Sequence, residues 1–193
     1  MKHCQPLLSN PLHSSPLFRY TPTMRVFGID CGTECTGYGV VEWDDGARCP
    51  QLISLGAGAI RASKKDPLPQ RLAAVYTRLI ELLESHQPDV VAVEEVFYSV
   101  NAKSALKLGH VRGVALLAAA TARLPFAEYA PLTIKSTVTG YGLAQKEQVQ
   151  FMVARLLNLS CVPEPADAAD ALAIAICHIH HSQTAALQMP AYR

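Results

Sequence analysis

Four carboxylates stand out against apolar surroundings in this chain: Asp30, Glu94, Asp167 and Asp170. Asp30 ends the run Val26-Phe-Gly-Ile29, just before a glycine turn, and Glu94 ends Val90-Val-Ala-Val93. A buried strand finishing on an acid is hard to explain by packing, because an unpaired carboxylate in a core is costly. Metal coordination removes that cost. The other two acids lie in Pro165-Ala-Asp-Ala-Ala-Asp-Ala-Leu-Ala-Ile174. Their i, i+3 spacing puts them on one face of a helix near its N-terminus. The alternative is that Asp167 caps this helix and Asp170 complements its dipole. As a set, such hard oxygen ligands suit Mg²⁺, with Mn²⁺ as a substitute, rather than zinc. Two such ions about 3.5–4 Å apart activate a water and stabilise the leaving oxygen of a phosphodiester. The expectation is two ions per active site, held by Asp30, Glu94, Asp167 and Asp170. No Gly-x-Ser-x-Gly elbow or other nucleophile motif competes with this chemistry.

The elements that must carry these acids follow from periodicity. Met24 to Asp30, Tyr38 to Trp43 and Gln51 to Arg61 read as an antiparallel meander, with a turn from Gly32 to Gly37. Pro69 to Ser85 places Leu72, Val75, Tyr76, Leu79, Ile80, Leu82 and Leu83 at helical spacing. Asp89 to Val93 is a buried strand, Ala102 to Ala122 a long helix and Phe126 to Tyr129 a short strand. Helices follow over Pro131–Thr139, Lys146–Leu157 and Pro165–His180. The fold class is α/β, a mixed five-stranded sheet with helices on both faces. The two acid-bearing strands are its central neighbours, so their ends open near one sheet edge.

At 193 residues, half of them hydrophobic, the chain suits one ordinary domain. Residues 1–23, broken by Pro6, Pro11, Pro16 and Pro22, are expected to be a disordered extension, with Met24 as a candidate start. Residues 24–184 form the domain and 185–193 a flexible tail. The longest apolar stretch is too short to span a membrane, so no membrane association is expected. Six cysteines without a C-x-x-C pair or a secretion signal suit free thiols in a reducing cytoplasm. His178, His180 and His181 are expected at a helix C-terminus, favoured by its dipole.

Net charge is only +1, but residues 98–160 carry an excess of five positives, while 1–97 and 161–193 are each negative by two. A basic middle between acidic ends suits a protein that holds metals with carboxylates and a polyanion with cations. Lys103 and Lys107 are i, i+4 on one helix, with Arg112 further along, and suit phosphate contacts. Phe97 and Tyr98 follow the second acid; such a pair could stack on an unpaired base, or one of them could be core. Gly109, Gly113 and the alanines from Ala115 to Ala120 make a smooth helix face, open to close approach by the sheet or by another subunit.

Four strings then carry a resemblance: GIDCGTECTGYGVV (28–41), VEEVF (93–97), SALKLGHVRGVA (104–115) and ADAADALAIAI (166–176). Together, in this order and separation, they resemble the RuvC Holliday-junction resolvases from about Met24 to His181. The resemblance implies a ribonuclease H-like fold and a homodimer. It further implies paired symmetric nicks across four-way junction DNA with Mg²⁺, and a RuvA–RuvB branch-migration complex as partner. By motif position the catalytic acids fall on Asp30, on Glu94 rather than Glu95, and on Asp167 and Asp170. The family's two essential lysines match Lys135 and Lys146. Its DNA-contacting aromatic matches Phe97.

The chain departs from the family pattern at Cys31, where proline is usual, and at Glu95, where glutamine is common. Cys31 is expected to change the stiffness of the turn and to bring a thiol near the metals, and neither departure removes a ligand. Gly28-Ile-Asp-Cys-Gly-Thr33 with Gly37 and Gly39 also resembles the first phosphate hairpin of sugar kinases and actin-like ATPases, but that fold needs a second lobe for which this chain is too short. A catalytically silent binder would be expected to lack one of the four acids. A general ribonuclease or a transposase-like enzyme would share the acids without the 104–115 and 166–176 strings.

Overall fold

A computed structural model describes residues 23–32, 34–46, 49–95 and 102–188, the first three of the last segment by backbone alone. Three antiparallel strands open the chain: β1 (Thr23–Asp30), β2 (Cys35–Asp44) and β3 (Gln51–Arg61). Helix α1 (Leu68–His86) leads to β4 (Val90–Glu94), and α2 (Ala102–Thr121) to β5 (Phe126–Tyr129). Three helices close the chain: α3 (Pro131–Thr139), α4 (Lys146–Leu156) and α5 (Ala166–Gln188). The sheet order is β3-β2-β1-β4-β5, with β4 parallel to both β1 and β5. The expected five-stranded mixed sheet is therefore observed.

Alternation along the central strands divides the core into two layers. Phe27, Ile29, Val91 and Val93 point into a cluster with Val75 and Leu79 of α1 and Val111 and Ala115 of α2. Val26, Val90 and Ala92 point the other way, into a cluster with Ile134 of α3, Val149 and Val153 of α4, and most of α5. The same alternation carries Asp30 and Glu94 onto the α5 side.

Helix α5 is buried almost all round from Ala168 to Ile179, as befits a helix covered by the sheet on one side and by α3 and α4 on the other. Its approach to the sheet is close enough to require glycine. A methyl group at Gly28 would run into the carbonyl of Ala171, and one at Gly37 into that of Asp167. At Gly39 it would stand 2.7 Å from the backbone nitrogen of Leu172. The GIDCGTECTGYG string is thus a docking surface for the backbone of α5.

Several boundaries differ from expectation. Strand β2 begins at Cys35, which pairs with Arg61 of β3, so only the first residues of the expected Gly32–Gly37 turn lie outside the strand. Thr23 pairs with Asp44 and belongs to β1, not to the extension; residues 1–22 lie outside the described set. Helix α5 runs to Gln188, past the boundary expected at 184. His178, His180 and His181 consequently sit well inside the helix, not at its C-terminus. No helix among the described residues is long and apolar enough to cross a membrane.

Candidate active site

The last paired rung between β1 and β4 is Ile29 with Val93, so Asp30 and Glu94 stand side by side one residue beyond it. Both occupy the carboxyl ends of parallel strands, where open α/β sheets place their sites. Gly37, the partner of Asp30 on β2, lies under Asp167, and Gly28 lies under Ala171. The glycine-lined contact therefore sets the first turns of α5, and with them Asp167 and Asp170, over the strand ends.

Two further helices supply cations. Lys146 is the first residue of α4, whose start is fixed by a capping box between Gln145 and Gln148. Its Nζ lies 2.6 Å from Oδ2 of Asp170. Lys135 lies one turn before the end of α3, where the hydroxyl of Thr139 donates to its carbonyl at 2.9 Å. Asp30, Glu94, Asp170, Lys135 and Lys146 line one cleft of about 200 Å³, floored by Ile134, Val149, Ala173 and Ile174. Asp167 stands at its margin, beside Cys35.

Crowding like charges in a half-buried cleft has the expected consequences. Burial, then the charges of Asp170, Glu94 and Asp167, push the Asp30 carboxyl up from 3.8 to about 7, against the opposing pull of Lys146. Glu94 is raised as well, by burial first and by Asp170 next. The hydrogen bond to Asp170 raises Lys146 and secures its positive charge.

This donor set fits a hard divalent cation: among the described residues the acids that line the cleft are carboxylates, and added positive charge relieves their repulsion. Among the described residues, however, no group of three or more His, Cys, Asp or Glu is arranged to hold a metal as it stands. Lys146 engages Asp170 instead. The expected ligands are gathered as an acidic cluster rather than as a formed chelate.

Other candidate residues fall into distinct places. Cys31 packs with the α1–α2 layer, on the opposite side of the sheet from Asp30. Burial and the neighbouring Asp30 push its thiol up to about 12, so it is a neutral core group rather than a thiol at the acids. Arg112, expected to meet DNA, forms a salt bridge with Glu128 of β5 and is only 20% exposed in its side chain. Its charge is matched inside the fold. Lys107 is exposed and near enough to Glu34 to help lower that carboxyl. The side chains of Phe97, Tyr98 and Lys103 lie outside the described residues.

One group at this end of the sheet escaped the sequence reading. Tyr129 pairs with Glu94 across β5 and β4, and its carbonyl accepts from the backbone N–H of Glu95 at 2.9 Å. Its hydroxyl is hydrogen-bonded to buried His178. The only sequence signal was a histidine in the middle of an Ala/Ile-rich run.

The family model described as "Crossover junction endodeoxyribonuclease RuvC" matches residues 26–178. A protein of that name from Acidobacterium capsulatum is 73% identical over 167 residues, covering 83% of this chain and 96% of its own. The structure of Thermus thermophilus RuvC matches with a TM-score of 0.77 and 35% identity, over 84% of this chain and 97% of that one. The same organism's RuvC in complex with a Holliday junction substrate matches at 0.75 and 32%, over 83% and 96%. These likenesses span both strand ends, the two lysine-bearing helices and most of α5, and by them the chain belongs to the RuvC family of crossover junction endodeoxyribonucleases.

Proposed function

We propose that this protein resolves Holliday junctions by paired, symmetric hydrolysis of phosphodiester bonds during DNA recombination and repair. The observation that carries this reading is the convergence of Asp30, Glu94 and Asp170 with Lys135 and Lys146 in one cleft, with Asp167 at its margin. Asp30, Glu94, Asp167 and Asp170 would hold Mg²⁺, with Mn²⁺ as a substitute and two ions per site. When bound, Mg²⁺ supplies an activated water and charge stabilisation for the leaving oxygen. Lys135 and Lys146 hold the non-bridging oxygens of the scissile phosphate and offset charge that builds there. The apolar floor keeps bulk water from the acids, which strengthens every charge interaction in the cleft.

Two cuts on opposed strands call for two sites, hence a C₂ homodimer. Helix α2 supports this reading: Leu106 and Leu117 are exposed, and Gly109 and Gly113 face open space. Phe97 and Tyr98 would stack on bases at the crossover, with Lys103 and Lys107 on phosphates. A RuvA–RuvB complex would deliver the junction, in the cytoplasm.

The test is cleavage of a synthetic four-way DNA junction, beside linear duplex and an RNA–DNA hybrid, with Mg²⁺ or with EDTA. Paired nicks confined to the junction, lost with EDTA and in Asp30→Asn, are expected. Cleavage of the hybrid alone would move the substrate to RNA. Phe97→Ala should weaken junction binding in a protein that still folds.

A further inference from the structure

Between the two cleft lysines the chain makes a tight turn that holds an aromatic ring out to solvent. Tyr141 is 59% exposed and the neighbouring Leu143 is 65% exposed. The turn beneath them is fixed. Gly140 ends α3 in the left-handed region at φ 77°, and its N–H donates to Ser136 at 2.8 Å. The Thr139 hydroxyl meets the carbonyls of Lys135 and Tyr141 at 2.9 and 3.0 Å and accepts from the Tyr141 N–H at 3.1 Å. The Ala144 N–H donates to the Tyr141 carbonyl at 3.1 Å. Ala144 itself is buried, anchoring the far side of the turn. A methyl at Gly142 would stand 3.3 Å from the Leu132 carbonyl, so the turn also rests on α3.

Exposed aromatic surface costs free energy in water, and a mobile loop could fold such a ring back onto the protein. Here hydrogen bonds hold the backbone of the turn, and the ring stands exposed. The Thr139 hydroxyl bonds the backbone of both Lys135 and Tyr141, so it ties the turn to the end of the helix that bears the first lysine. Lys146 closes the turn on the other side, beside Asp170. An exposed aromatic ring on the turn that joins the helices of two cleft-lining lysines is complementary to a nucleic-acid strand, whose phosphates meet the lysines while a base meets the ring.

We propose that Tyr141, in the turn between the two lysine-bearing helices, is a nucleotide-stacking residue that takes a base flanking the scissile phosphate. The proposal rests on the DNA-cleaving reading above. It assigns to the turn between α3 and α4 a role separate from that of Phe97 and Tyr98. Thr139 serves as its positioning residue.

The experiment uses the full chain and four-way DNA junctions carrying 2-aminopurine at each position flanking the scissile phosphate, with Ca²⁺ in place of Mg²⁺ to slow cleavage. Tyr141→Ala should weaken junction binding roughly ten-fold, within the range for loss of one base–aromatic stack, at unchanged melting temperature. Tyr141→Phe should bind within about two-fold of the original protein, because stacking needs the ring and not the hydroxyl. One 2-aminopurine position should be quenched in the original and Phe proteins and brighter with Ala. The salt dependence of binding should not change in Tyr141→Ala, since no phosphate contact is lost, whereas Lys135→Ala should reduce it. Equal binding and equal quenching for the Ala variant would overturn the proposal while leaving the resolvase reading intact. Failure of the original protein to bind or cut any junction would overturn both.

Discussion

The hydroxyl of Tyr129 lies 2.8 Å from Nδ1 of His178, and the Ser182 hydroxyl lies 3.3 Å from the other ring nitrogen. Both imidazole nitrogens are therefore occupied within a buried pocket. Burial, reinforced by His181, holds the His178 ring well below its usual 6.5, at about 4. The unfolded chain takes up this proton more readily than the folded one. Stability is thus complete above about 6.5 and lost as pH falls toward 4, by up to about 3 kcal/mol. Urea unfolding across pH 4–7 should show this slope, and His178→Asn should flatten it.

Asp30 acts in the opposite sense. Its folded carboxyl titrates near 7 and its unfolded one near 3.8, so the folded state retains a proton that the unfolded state releases. Stability from this group falls as pH rises from about 4 to about 7, by at most roughly 4 kcal/mol. Asp30→Asn should therefore melt higher than the original protein at pH 8 without metal. Adding Mg²⁺ should raise the melting temperature of the original protein and have less effect on the variant. A destabilised Asp30→Asn at pH 8 would contradict the crowded-carboxylate account. The two groups oppose each other over the same pH range, so their slopes are best separated in the single variants.

The glycine contacts under α5 predict a shape effect. Gly28→Ala places a methyl against the Ala171 carbonyl, and overpacking of this kind costs about 1–3 kcal/mol. Relieving the clash lifts the first turns of α5, which also carry Asp167 and Asp170. Cleavage should fall by more than the change in folded fraction explains, as single-turnover assays well below the melting temperature would reveal.

Arg112 provides a contrast with phosphate-binding lysines. Its guanidinium is paired with Glu128, and its Nε is buried without a hydrogen-bond partner among the described residues. Arg112→Ala should destabilise the fold by about 1 kcal/mol and leave the salt slope of DNA binding unchanged. A double-mutant cycle with Glu128→Gln should show coupling. If the salt slope instead drops by nearly one unit, Arg112 meets a phosphate.

Much of this site could be read from the chain because its signals are local. Asp30 and Glu94 each end an apolar run, and Asp167 and Asp170 repeat at helical spacing, so neighbouring strands and a docked helix suffice to gather them. β3, β5 and α3 fall where periodicity places them. What escaped depends on contacts between distant segments. Arg112 looked like one more exposed cation because nothing near it in sequence announces Glu128. Cys31 changed sides because one step along a strand reverses the face. The histidines looked terminal because polar residues from Ser182 onward disguised two more turns of α5. Tyr141 gave no signal at all: its exposure depends on how the turn between α3 and α4 sits on the fold, which periodicity does not encode.

The parallel pairing of β1 with β4 has a consequence for how this protein comes into being. The β1–β2–β3 meander can form from neighbouring segments, yet it carries only Asp30. Glu94 reaches its place after α1 has crossed over, and Asp170 belongs to the last helix of the chain. Contacts so distant in sequence come late, because the entropy of closing the intervening loops must be met first. A chain still being made, or one partly unfolded, therefore carries acids that are not yet gathered into one cleft. The acidic cleft is thus among the last features of the molecule to be completed.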